Sequence, residues 1–334
     1  MRASLLIFLS LIFYSLCLLN FTQKVPEEYE VAPWYDFKPA TITYTFDDGA
    51  YNQLKKAVSL LDKYYFKASF YLITSYVQDW EGYKLAAKNG HEISSHTVTH
   101  RNLREQDLES QLTELKESKR LIEKKIGQEC VTIGYPYCFS GDYDLAKKFY
   151  ISGRACSGEF IDSNPKDMFE LYSLGVGEES DFQTAESLNK WVDNAYKKKK
   201  WIVFVLHGID HDGGYSSFDS FELDLHFKYV KKNEDKFWVA TFKDVSKYIL
   251  ESNSLIIEES NVEAGMTKIK VSCEYTTTVT KLVFPVTVSR KYESSCQKPT
   301  IIKESDKSPI DVRIESNKMI FNVVPGENYL FICY

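Results

Sequence analysis

The chain has 334 residues, 44% of them hydrophobic and 15% aromatic, which is enough apolar material for a substantial core and for about two domains of roughly 150 residues. A formal net charge of −6 leaves no basic footprint and argues against nucleic acid as a partner. Gly and Pro are too sparse for a low-complexity chain.

The first residues, MRASLLIFLSLIFYSLCLLNFTQ, place Arg2 ahead of an apolar run from Leu5 to Leu19. That is the polarity order of a secretory leader, so residues 1–22 read as a signal peptide and 23–40 as a lead segment. The run falls short of the roughly 20 apolar residues of a membrane span. No stable span is expected after cleavage, and the protein is expected to be secreted or held at the cell surface, with an uncleaved anchor as the alternative. Without Cys17 six cysteines remain, an even number that suits disulfides in an exported chain.

From Thr41 onward short β-rich runs alternate with helical patterns. The strand candidates are TITYTF, KASFYLI, HEISS, VTIGYPY, YISGRACS, WIVFVLHG and FWVATF. Between them lie helices such as Asp107 to Ile126, where Leu108, Leu112, Leu115, Ile122 and Ile126 recur at helical spacing before Gly127. This is the text of an α/β protein with a parallel sheet, and seven such units suggest a barrel whose catalytic residues sit at the C-terminal ends of the strands. Lys197 to Lys200 close a helix, where cations are favoured, and read as a solvated face. After Asn253 the period changes to two: Ile269, Val271, Cys273 and Tyr275 alternate with polar residues, and ESNK links DVRI to MIFNVV as a hairpin. Residues 41–253 are therefore expected as a (β/α)-barrel domain and 254–334 as a small all-β, sandwich-like domain.

The candidate chemistry lies on the predicted barrel rim. Asp47 and Asp48 stand side by side at a strand end, where like charges repel unless a cation or a proton relieves them. His96 and His100 are four apart and converge on one ion if the backbone between them turns helically. With Asp48 they would form a two-histidine, one-carboxylate set with room for water; read alone, such a pair is more often a surface feature of a helix. His207 ends another strand, and His91 and His211 read as structural or rim residues.

These blocks resemble the polysaccharide deacetylases of carbohydrate esterase family 4, the chitin and chitooligosaccharide deacetylase group. The resemblance covers roughly residues 41 to 250 and rests on TFDDG at 45–49, SHTVTH at 95–100, YPY at 135–137 and LHG at 206–208. It implies a distorted seven-stranded (β/α) barrel, a Zn2+ ion or another divalent transition metal such as Co2+, and an N-acetylated polysaccharide substrate, the chain acting as a monomer. It implies Asp48, His96 and His100 as metal ligands, Asp47 as general base and His207 as general acid. It further implies that the Tyr137 backbone N–H faces the oxyanion and that Leu206 lines the acetyl pocket. Two departures stand out. Gly134 occupies the place of an Arg that pairs with the base, and Arg154, at the end of the next predicted strand, is the candidate replacement. Cys138 occupies the place of a glycine; it either bridges Cys156 or stays a free thiol near the metal. The missing Arg keeps open a second reading, a catalytically impaired carbohydrate-binding protein of the same fold.

Overall fold

The computed structural model describes residues 24–333, so the leader expected over 1–22 lies outside the described residues. The chain enters with β1 (Tyr29–Val31) and then runs through β2 (Ala40–Asp47), α1 (Val58–Lys63), β3 (Ser69–Leu72), α2 (Trp80–Lys88), β4 (Glu92–Ser95) and α3 (Leu108–Ile126). It continues with β5 (Thr132–Gly134), α4 (Tyr143–Ala146), β6 (Ser152–Arg154), β7 (Leu174–Gly175), α5 (Ala185–Lys198), β8 (Trp201–Leu206), α6 (Ser220–Lys232), β9 (Phe237–Val239) and α7 (Phe242–Ser252).

β2 is buried along its whole length, as a β-branched and aromatic run must be when helices cover the sheet. The parallel sheet runs in the order β6-β5-β4-β3-β2-β8-β7, and β9 also pairs with β2. β2 can hold three neighbours because it is long: Thr45–Asp47 pair with β3, Ala40–Ile42 with β9, and Thr41–Phe46 with β8 along the other edge. The curled sheet stays open between β6 and β7, where an isolated bridge joins Arg154 to Leu171. This is the expected α/β architecture, a distorted (β/α) barrel, with one strand that the pattern did not show: β7 has two residues, too few to display a period.

Local signals place the helices. Asp107 caps α3 by accepting from the Ser110 N–H at 2.8 Å, and Gly127 ends it at φ 77. Lys199 closes α5 in the left-handed region at φ 57. Among the described residues no helix is long and apolar enough to cross a membrane.

The remaining strands are β10 (Leu255–Glu263), β11 (Met266–Cys273), β12 (Val286–Lys291), β13 (Pro299–Lys303), β14 (Arg313–Glu315), β15 (Lys318–Val323) and β16 (Asn328–Cys333). They form two four-stranded antiparallel sheets, β10-β11-β16-β13 and β1-β12-β15-β14. The segment read as a lead-in therefore supplies a strand: β1 pairs with β12, Tyr29 opposite Arg290. The expected hairpin is β14 and β15, closed by Glu315 opposite Lys318. Ile257, Ile269, Val271, Val288, Phe321 and Phe331 are buried in a core of their own, with Cys296 bonded to Cys333. Where barrel and sandwich meet, Tyr35, Trp238, Tyr248 and Phe284 form one aromatic cluster, ring centroids 5.3–6.3 Å apart.

Glu251 of α7 sits fully buried at that junction and accepts the Phe284 N–H at 3.0 Å on each carboxylate oxygen. Burial pushes its pKa up to about 7, above the roughly 4.3 of an unfolded glutamate. The folded state thus holds this proton more tightly than the unfolded one. The resulting stability is full below about pH 4.3 and is lost as pH rises through 7. Glu251→Gln should lose that decline, so urea midpoints of the variant measured from pH 5 to 8 should gain on the native protein steadily with pH.

Candidate active site

β2 delivers Asp47 to the C-terminal rim, and the chain then reverses sharply, with Asp48 at φ 71 and Gly49 at φ 79. Asp tolerates the left-handed region better than most residues. Neither carboxylate caps the helix that follows, whose N-cap is Asn52 without a side-chain hydrogen bond. Instead Gln53, fully buried, donates from Nε2 to the Asp47 carbonyl at 2.5 Å and to the His207 carbonyl at 3.0 Å, tying the two strand ends together.

His96 follows β4 directly. The His pair does not meet on a helix face: Thr97 at φ 68 and His100 at φ 61 make a tight turn, which corrects the helical expectation. Glu114 of α3 fixes this turn, accepting the amides of Val98 at 2.7 Å and Thr99 at 2.9 Å. The outcome is nevertheless convergence. His96 Nε2 lies 3.6 Å and His100 Nε2 3.7 Å from Asp48 Oδ1, and the three donor atoms lie within 4.8 Å of one another.

The donors fit a divalent ion. Bonds of about 2.1 Å in tetrahedral geometry place neighbouring ligand atoms roughly 3.4 Å apart, close to the observed separations. His96 Nδ1 is 2.6 Å from the Gly134 carbonyl, which keeps the proton on Nδ1 and turns the Nε2 lone pair toward Asp48. Burial pulls the His96 pKa down to about 4, so the ring is neutral, as a ligand must be. Asp48 Oδ1 is buried with no hydrogen-bond partner among the described residues. Burial and the neighbouring Asp47 charge push the Asp48 pKa up to about 6, the signature of a carboxylate that lacks a countercharge.

Asp47 has one. Its Oδ2 accepts from Arg154 Nη2 at 2.5 Å, with both side chains buried. Burial raises the Asp47 pKa, but Arg154, His96 and His207 outweigh it and hold the carboxyl below its ordinary range. Arg154 reaches in from β6 because position 134 is empty of side chain: a Cβ on Gly134 would lie 2.6 Å from Arg154 Nη2. Gly134 and Arg154 thus go together, the guanidinium standing where a side chain on residue 134 would lie.

Asp47, Asp48, His96, His100, Tyr137, Arg154 and His207 all line a single cavity of about 680 Å³. Leu206 does not. It is fully buried in the barrel core, and its strand neighbour Val205 lines the cavity together with Gly175, because adjacent strand residues face opposite sides. Tyr137 (φ 54) leads the turn after β5, its ring 4.8 Å from His100. Cys138 is bonded to Cys156, which settles its two readings. His91 is buried, its Nδ1 accepting the Ala68 N–H, and His211 is exposed, 2.8 Å from Glu178; neither joins the cluster. The sequence reading missed Tyr215, whose exposed ring stands edge-on 5.0 Å from His207; the Gly-Gly pair before it was the available signal. Glu114 and Gln53 carried no motif of their own.

Residues 35–148, from before β2 through the Tyr137 turn, match the family described as polysaccharide deacetylase. That match takes in about a third of the chain, including the turn after β2 and both histidines. Members of this family are hydrolases acting on amide C–N bonds. A gellan lyase from a Bacillus species is 28% identical over 245 residues, covering 66% of this chain and 10% of that protein. YxkH of Bacillus subtilis strain 168, assigned as a polysaccharide deacetylase, is 30% identical over 118 residues, 33% of this chain and 42% of that one. The chain thus spans well under half of either relative's length. A Mycobacterium smegmatis structure assigned to the polysaccharide deacetylases shares the fold at a TM-score of 0.52 and 16% identity, over 66% of this chain and 95% of that one.

If Asp48, His96 and His100 hold a divalent ion, the protein should bind one equivalent of zinc. Asp48→Ala and His100→Ala should each weaken binding by at least 100-fold, checked by calorimetric titration of the metal-stripped proteins.

Proposed function

We propose that the protein hydrolyses N-acetyl groups on an extracellular polysaccharide containing N-acetylglucosamine, releasing acetate and leaving free amines, and that it does so as a monomer with a zinc ion. The observation that carries this reading is the difference between adjacent carboxylates: Asp48 Oδ1 lies 3.6 Å from His96 Nε2 and 3.7 Å from His100 Nε2, while Asp47, whose Oδ2 is also 3.6 Å from His96 Nε2, is the one paired with Arg154. A divalent ion held by Asp48, His96 and His100 supplies a Lewis acid that brings the pKa of water to near ~7.

Asp47, ionised by its guanidinium partner, accepts the proton of the attacking water as oxygen bonds to the acetyl carbon. The Tyr137 N–H faces the oxygen that becomes negative, and an amide fixed in a turn needs no reorganisation to stabilise it. An amine leaves poorly until it is protonated. His207, across the same cavity, donates that proton to nitrogen as the C–N bond breaks, and the proton held by Asp47 restores the site. The exposed rings of Tyr137 and Tyr215 flank the opening and offer faces on which a sugar can stack. The alternative of an impaired binding protein rested on a base without a partner; Arg154 at 2.5 Å from Asp47 weighs against it.

Acetate release from N-acetylglucosamine oligomers should cease with a chelator and return with zinc. His207→Ala should lower kcat about 10²–10⁴-fold, the usual scale of general-acid loss. Arg154→Ala should lower it about 100-fold, because it removes the cation bonded to Asp47 Oδ2. Unchanged turnover in Arg154→Ala would refute the role of Arg154 as the partner of the base.

A further inference from the structure

The ladder between β5 and β6 runs in register through Gly134 opposite Arg154. Its last hydrogen bond goes from the Tyr135 N–H to the Arg154 carbonyl at 3.2 Å. Past that point the two segments part, one into the turn that carries Tyr137, the other into the loop after Arg154. The next link between them is covalent, Cys138 to Cys156 with Cα atoms 5.2 Å apart, and both sulfurs' residues line the cavity that holds Asp47 and His207.

The turn needs such a link. Tyr137 and Cys138 are consecutive non-glycine residues in the left-handed region, at φ 54 and φ 67, which is sterically unfavourable for both. The turn's own hydrogen bonds, Cys138 N–H to the Tyr135 carbonyl at 3.0 Å and Phe139 N–H to the Pro136 carbonyl at 3.1 Å, leave the Tyr137 amide out. Tyr137 is largely exposed, so burial of its ring does not hold it in place.

We propose that the Cys138–Cys156 disulfide is a positioning device for catalysis: it clamps the left-handed turn so that the Tyr137 backbone keeps its place at the cavity wall, and ties that turn to the strand whose Arg154 is bonded to Asp47. This rests on the deacetylase reading above. The clamp does by covalent constraint what a glycine does by conformational freedom, since glycine occupies φ near +67° without steric cost.

The test compares the native protein with C138S/C156S and C138G/C156S, each measured for acetate release from N-acetylglucosamine oligomers and for amide hydrogen exchange peptide by peptide. The double serine variant should lose at least 10-fold in kcat with KM within twofold, and its segments 135–140 and 154–158 should exchange faster than in the native protein while the helices are unchanged. The glycine variant, with no disulfide, should regain most of kcat; a bond that merely stabilised the domain would leave kcat native in the serine variant at a temperature where that variant is fully folded. Native kcat in C138S/C156S, or no recovery in C138G/C156S, overturns the inference. If the native protein releases no acetate, the deacetylase reading fails instead, and exchange alone then decides whether the disulfide holds the turn: equal exchange in native and serine forms refutes the clamp.

Discussion

Two carboxylates side by side at the end of one buried strand cannot both stay ionised in a low-dielectric site unless each meets positive charge. Here the backbone divides them. The left-handed turn at Asp48 leaves both carboxylates 3.6 Å from His96, but Asp48 also approaches His100 while Asp47 is paired with the guanidinium of Arg154. One carboxyl is held below its ordinary pKa and the other is raised to about 6. A base and a ligand are thereby distinguished by environment, although they are the same residue type and adjacent in the chain.

The supporting contacts are spread through helices that carry no chemistry themselves. Glu114 of α3 holds the histidine turn through two amides, and Gln53 bridges the carbonyls of Asp47 and His207 from a neighbouring helical turn. Gly134 contributes by what it lacks, since any side chain there would collide with Arg154. Precision in the cavity is therefore a property of the whole rim, and it is built on buried, fully determined positions.

Much of this was legible in the chain. The strands from TITYTF to WIVFVLHG and the helix ending at Gly127 announced themselves because burial on both faces demands continuous apolar runs and a left-handed stop favours glycine. The Asp pair and the H-x-x-x-H spacing identified the cluster, since few other arrangements place so many donors at strand ends. What did not show had physical reasons. β7 is too short to have a period. The histidine turn is made by positive φ at Thr97 and His100, which spacing alone cannot distinguish from a helix. Leu206 and Val205 differ only in which side of β8 they face, and a strand buried on both sides gives no polar alternation to tell them apart. The role of β1 was hidden because its partner, β12, lies at the far end of the described chain.

That last pairing bears on how the molecule assembles. Sheets built from neighbours in sequence close early, whereas contacts between distant segments must wait for a large loop to be drawn in. A chain made from its N-terminus carries β1 as an unsatisfied edge during the whole synthesis of the barrel, until Val286–Lys291 arrives to pair with it. The sheet that holds β1 therefore cannot close before Val286–Lys291 is available, and until then Tyr29–Val31 is an unpaired edge.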